Sequence, residues 1–133
     1  MNLPTIDIKL DEGRRSFRAG EILSGQYTIV PAEGQPLRAV ELSVLWYTEG
    51  KGEEDLGVHF FERLGGRDAT LNGETRRFET RLPLAPLSYE GSIIKIRWCV
   101  RVRVFLSRSR EYFVESPFQL SALTEPHPQP AIA

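Results

Sequence analysis

The residues best equipped for chemistry lie on one short stretch. Lys95, Arg97, Arg101 and Arg103 alternate along it, with Cys99 at the middle position. On an extended strand, side chains of one face repeat every ~6.6 Å, so these cations form a stripe. Two chemistries are open to it. Carboxylates on neighbouring strands, Glu41 or Glu115, can neutralise the stripe internally at a few tenths of a kcal/mol per pair, on the order of 0.5 kcal/mol. Alternatively, it can dock an acidic segment or a phosphorylated group through bidentate arginine contacts. Flanking cations would lower the pKa of Cys99 and activate its thiol. The plainer reading of Cys99 is an inert thiol on a sheet.

The remaining reactive residues do not assemble a site on paper. The histidines are His59, in an apolar strand beside Phe60 and Phe61, and His127 near the end. Two histidines and one cysteine without ligand spacing do not make a metal centre. Glu53, Glu54 and Asp55 are consecutive in a polar loop, where carboxylates are solvated. An acid–base pair needs two that face each other with separated pKa values. Gly65 and Gly66 lack the Lys-Ser/Thr of a phosphate loop. The expectation is a chain without catalytic residues, cofactor or metal.

The elements that must position these residues have a period of two. Ile94, Ile96, Trp98, Val100, Val102, Val104 and Leu106 line one face of the cationic strand, which predicts a core strand roughly 40 Å long. A helical period of 3.6 would scatter them around a cylinder. Shorter alternating runs stand at 6–10, 21–30, 40–47, 58–64, 77–82 and 112–120. Turn chemistry separates them: Asp11 to Gly13, the stretch from Pro31 to Pro36, the polar loop 50–57, Gly65 with Gly66, and Asn72 with Gly73. About seven strands without a helical pattern predict an all-β, antiparallel, immunoglobulin-like sandwich. Its core would hold Ile94, Ile96, Trp98, Val100, Val102 and Val104.

With 133 residues the chain fits one domain, placed at 1–123, and a Pro-rich tail at 124–133. A net charge of −1 gives no global attraction to nucleic acid. No apolar stretch approaches the ~20 residues of a membrane span, and residues 1–4 lack a leader pattern. A single cysteine suits a reducing compartment, so the expected location is cytoplasmic.

The last hairpin can be given a register. A loop at 108–110 pairs Leu106 with Tyr112 and Val104 with Val114 inside, and Phe105 with Phe113 and Arg103 with Glu115 outside. Pro117, Glu111 and Glu115 protect the last strand as an edge, whereas Tyr112, Phe113 and Val114 do not. Strand addition there, by a partner peptide or a second copy, would use Val114 with the outward Arg101, Arg103, Phe105 and Phe113. Tyr47 alternates onto the same outward side of its strand. Arginine mixed with aromatics is the composition of interface hot spots.

Two stretches resemble the arrestin family. One is FRAGEILSG at 17–25; the other is FETRLPLAPLSYEG at 78–91, running on into IKIRWCVRV at 94–102. They are similar to the family's Gly-Glu turn with a glycine inside the second strand, and to its leucine-proline segment, Pro-x-Ser-aromatic-x-Gly connection and long strand. Gly20 and Gly91 would turn the chain at positive φ, and Pro83 and Pro86 would stiffen a crossing between sheets. The resemblance implies one arrestin-type sandwich. The family's tandem-domain features are not carried over. It also implies a non-catalytic adaptor or regulator that binds a protein. The residues read above as able to do so are the cationic stripe Lys95, Arg97, Arg101 and Arg103 and the edge at Phe113 and Val114. The alternative is a module that binds a small ligand, carbohydrate or lipid, in an aromatic-lined concavity.

Overall fold

The computed structural model describes residues 3–65, 74–107 and 109–123. The tail at 124–133, the Asn72-Gly73 turn, Gly66 and Arg108 lie outside the described residues. The strands are β1 (Thr5–Leu10), β2 (Ser16–Arg18), β3 (Ile22–Val30), β4 (Ala39–Gly50), β5 (Leu56–Gly65), β6 (Thr75–Arg81), β7 (Tyr89–Glu90), β8 (Ile94–Phe105) and β9 (Glu111–Ser121). The seven expected strands are all present. The two additional ones, β2 and β7, are three and two residues long. Such short elements carry no readable alternation; their neighbours define them.

The strands form two sheets packed as a sandwich, one ordered β1-β3-β6 and the other β2-β9-β8-β4-β5, with β7 against the start of β8. Pairing is antiparallel throughout these ladders except between β2 and β9, which run parallel over three residues.

Alternation along β8 does what the sequence demands. Trp98, Val100, Val102 and Val104 are fully buried between the sheets, together with Leu42 and Val44 of β4 and Leu23, Tyr27 and Ile29 of β3. Each such aliphatic side chain contributes about 1.5–3 kcal/mol by leaving water. The Trp98 indole N–H donates to the Pro86 carbonyl at 2.8 Å, so the largest core side chain leaves no polar atom unsatisfied. Ile94 and Ile96 are only half-buried, contrary to expectation. They lie beyond the point where β9 covers β8, opposite the end of β4 and the two-residue β7.

The expected hairpin register is two residues off. The Leu106 N–H donates to the Arg110 carbonyl at 2.8 Å, so the turn closes between these two residues, with Ser109 at φ 60°. Moving the loop centre by one residue moves every pair by two and preserves the faces. Val104 therefore faces Tyr112, Val102 faces Val114, Arg103 faces Phe113 and Arg101 faces Glu115.

The segment after β6 crosses between sheets as the two prolines suggested. The Leu82 N–H donates to the Glu21 carbonyl in one sheet, and the Ser88 N–H donates to the Leu120 carbonyl in the other. Gly20 turns at φ +85°, but Gly91 does not adopt positive φ. A Cβ on Gly91 would lie 2.4 Å from the Tyr89 ring, so space rather than backbone conformation requires glycine there.

Candidate functional site

Lys95, Arg97, Cys99, Arg101, Arg103 and Phe105 all occupy the face of β8 that points away from the core, and register decides what each one meets. Across β4 these positions face Glu49, Tyr47, Leu45, Ser43, Glu41 and Ala39 in turn. On the other side Arg101 faces Glu115 and Arg103 faces Phe113.

Each cation of the stripe has a carboxylate within reach. Arg101 Nε donates to Glu115 Oε2 at 2.7 Å. Arg97 meets Glu49 at 3.2 Å and Glu90 at 3.1 Å, and Lys95 lies 3.7 Å from Glu90. Glu115 is one of the two partners read from the sequence. The other, Glu41, is taken by Arg63 of β5. Arg103 is left with Glu111 at 3.9 Å, and its buried Nε has no hydrogen-bond partner among the described residues. These ion pairs match Arg63, Lys95, Arg97, Arg101 and Arg103 with Glu41, Glu49, Glu90, Glu111 and Glu115. Five charges of each sign make this surface locally neutral, not an uncompensated cationic row.

The aromatic rings are built into the same network. The guanidiniums of Arg101 and Arg103 lie over the Phe113 ring, at 5.0 and 5.7 Å from its centroid. Arg63 lies over Phe105 at 5.2 Å. Such contacts add about 0.5–1 kcal/mol at exposed sites. Phe113 remains 45% exposed, whereas Phe105 is partly covered. Arg63, Glu49 and Glu90 are not singled out by the sequence, and Glu111, expected as an edge charge, also serves as the partner of Arg103. Arg63 and Phe61 do alternate in the sequence; their place beside β4 follows only from topology.

Cys99 sits at the centre of this face and is buried, as are Leu45 and Ser43 beside it. Long arginine stems can cover small residues in this way. Burial pushes the thiol up to about 12; the Glu115 charge adds to the rise, and Arg101 opposes it without prevailing. The cations flanking Cys99 therefore do not activate it. Burial likewise raises the Tyr47 phenol. His59 hydrogen-bonds through Nε2 to the Arg81 carbonyl at 2.7 Å and packs edge-on against Trp98, so it links the two sheets. Among the described residues no three His, Cys, Asp or Glu side chains come together as a metal site would require. No helix among them is long and apolar enough to cross a membrane.

The open side of β9 can also be assigned. Hydrogen-bonded pairs alternate along an antiparallel ladder. The bond from Leu106 N–H to the Arg110 carbonyl therefore turns the amides of Tyr112 and Val114 toward β8. Those of Phe113 and Glu115 point outward, as does the Gln119 N–H that donates to the Arg15 carbonyl at 2.8 Å. Pro117 falls at an outward position and supplies no donor. Val114 is thus part of the β8 ladder, and among the described residues the edge without a partner strand belongs to Phe113 and Glu115.

Further along, β9 leaves β8 to pair with β2. This fork holds a hollow of about 600 Å³ lined by Tyr47, Tyr89, Glu90, Arg97, Gln119 and Arg15 among others.

No family model and no curated protein matches the chain. Among solved structures it matches the sporulation control protein Spo0M of Bacillus subtilis with a TM-score of 0.67 and 15% sequence identity. The match covers 92% of this chain and 51% of that one, so the chain spans about half the length of Spo0M. At this identity the likeness establishes the fold. The arrestin-type sandwich implied by the motifs at 17–25 and 78–102 is the architecture of this chain.

Proposed function

We propose that this chain is a non-catalytic protein-binding module, adaptor or regulatory in kind, that works in the cytoplasm and engages its partner on the outer face of β8 and β9. The observation that carries the proposal is the Phe113 ring, half-exposed between the guanidiniums of Arg101 and Arg103 beside the free backbone edge of Phe113 and Glu115. An aromatic held by arginines is a rigid anchor of the hot-spot kind, and the adjacent edge can bond an extended segment of the partner. An acidic or phosphorylated partner group would compete most easily at Arg103, whose carboxylate, at 3.9 Å, is the most distant of the stripe. Elsewhere on the face such a group has to displace a glutamate already in place.

The test is affinity capture with the tagged chain, comparing wild type with Phe113→Glu, Arg103→Glu and Gln26→Glu. Gln26 lies on the outward face of β3 in the other sheet. Phe113→Glu and Arg103→Glu should weaken capture at least tenfold, and Gln26→Glu should leave it unchanged. Equal capture by all four proteins would refute the proposed surface.

The hollow at the fork favours a second reading, a small-ligand module. Its volume is within the roughly 300–1,000 Å³ range of ligand sites, and two tyrosines line it with polar groups of both signs. Saturable binding of a sugar or lipid that Tyr89→Ala abolishes and Phe113→Glu does not would establish that reading instead.

A further inference from the structure

The opposite edge of the same sheet is the barer one. Among the described residues no strand pairs with the outer side of β5. It is ten residues long and contains neither proline nor lysine. Leu56, Val58 and Phe61 are 53%, 52% and 50% exposed on it. A long apolar edge of this kind is a template for strand addition.

The ladder shows which backbone groups are free. The Thr48 N–H donates to the Asp55 carbonyl at 3.0 Å, so the even-numbered residues of β4 bond toward β5. Their β5 partners are Gly57, Phe60, Glu62 and Leu64, with a bulge between the pairs 44/60 and 45/58. The outward groups are therefore those of Leu56, Val58, Phe61 and Arg63. These four residues also carry their side chains on the outer face, opposite Tyr47, Leu45, Ser43 and Glu41.

We infer that the occupant of this edge is the β5 strand of a second copy, running antiparallel about a two-fold axis that passes between His59 and Phe60. In this register Val58 faces the second copy's Phe61, and Leu56 faces the second copy's Arg63. Three points favour a second copy. The bulge lengthens both strands by the same residue, so the outward donors and acceptors of one copy meet those of the other. The apolar side chains Val58 and Phe61 pair with each other twice, as a two-fold interface requires. The one charge among the four outward residues, Arg63, is already matched by Glu41 and comes opposite Leu56, so no like charges meet. The four pairs supply about eight backbone hydrogen bonds. The joined sheet leaves the Phe113 surface at its far ends, free for a different partner.

The experiment uses the full chain. Sedimentation velocity from ~1 μM to ~1 mM should show a monomer–dimer equilibrium. Val58→Lys and Phe61→Pro should each weaken it at least tenfold, because one places cations in the apolar pair and the other removes an outward donor while sparing the β4 ladder. Register is tested by disulfide trapping, since the hydrogen-bonded pair places the two Cα atoms about 5.5 Å apart, within disulfide reach. Mild oxidation of Val58→Cys mixed with Phe61→Cys should give the mixed cross-linked dimer, and each variant alone should give at least tenfold less. Buried Cys99 stays out of this reaction. A wild-type monomer at ~1 mM, or cross-linking indifferent to position, would overturn the inference.

Discussion

The two faces of β8 are made from one strand and behave as different materials. On the inner face Trp98, Val100, Val102 and Val104 are shut away from water within the apolar core. On the outer face Arg97, Arg101 and Arg103 are held by carboxylates and rings near the surface. Burial of the inner set amounts to several kcal/mol, whereas exposed ion pairs contribute ~0–1 kcal/mol each. The difference places the burial energy on the inner face and leaves the proposed recognition to the outer cations and rings. Single charged side chains of the outer face should therefore be replaceable without unfolding the protein, whereas Cys99 and Leu45 beneath them are buried.

Substitutions on the two faces have graded effects. Trp98→Ala should be the most damaging, at about 3–5 kcal/mol in urea denaturation, because it leaves a cavity and removes the donor to the Pro86 carbonyl. Arg101→Ala on the same strand should cost less than ~1 kcal/mol. Equal losses would mean that the outer network is part of the core.

Cys99 stands between the two faces in character, because it faces outward yet is buried. Its folded pKa is raised to about 12, above its unfolded value of roughly 8.5. The native state therefore holds the proton more tightly than the unfolded one. The stabilisation is fully present below pH ~8.5 and is lost as pH rises toward about 12. Thiol titration with an aromatic disulfide reagent at pH 8 should give no reaction in the native protein and full reaction in denaturant. A fast native reaction would show that the arginines activate it after all.

The smallest effect is expected at the ion pair itself. A double-mutant cycle on Arg101→Ala and Glu115→Ala should return a coupling of about 0.5–1 kcal/mol that shrinks at high salt. A coupling well above this, insensitive to salt, would move the pair from the surface to the interior side of the comparison.

Alternation made the faces of β8 readable, because the period of two is a property of the chain alone. It did not make the partners readable. Alternation alone places Arg103 opposite Glu115, and a loop displaced by one residue gives Glu115 to Arg101 instead. The neutrality of the face was hidden for the same reason, since Arg63, Glu49 and Glu90 reach it from β5, β4 and β7. The half-burial of Ile94 and Ile96 depended on where β9 stops covering β8, a tertiary boundary with no local signal. The arrestin-type motifs were legible because glycine and proline impose local geometry, and geometry identifies a fold more readily than a partner.

The most direct test of the outer face as the binding surface is site-specific photo-crosslinking. A benzophenone side chain would replace Phe113 in one variant and Gln26, on the outward face of the three-stranded sheet, in another. Both would be irradiated in cells and their adducts identified by mass. Position 113 should give a discrete protein adduct and position 26 none. Adducts from position 26 alone, or none from either while the protein carries a bound small ligand, would contradict it.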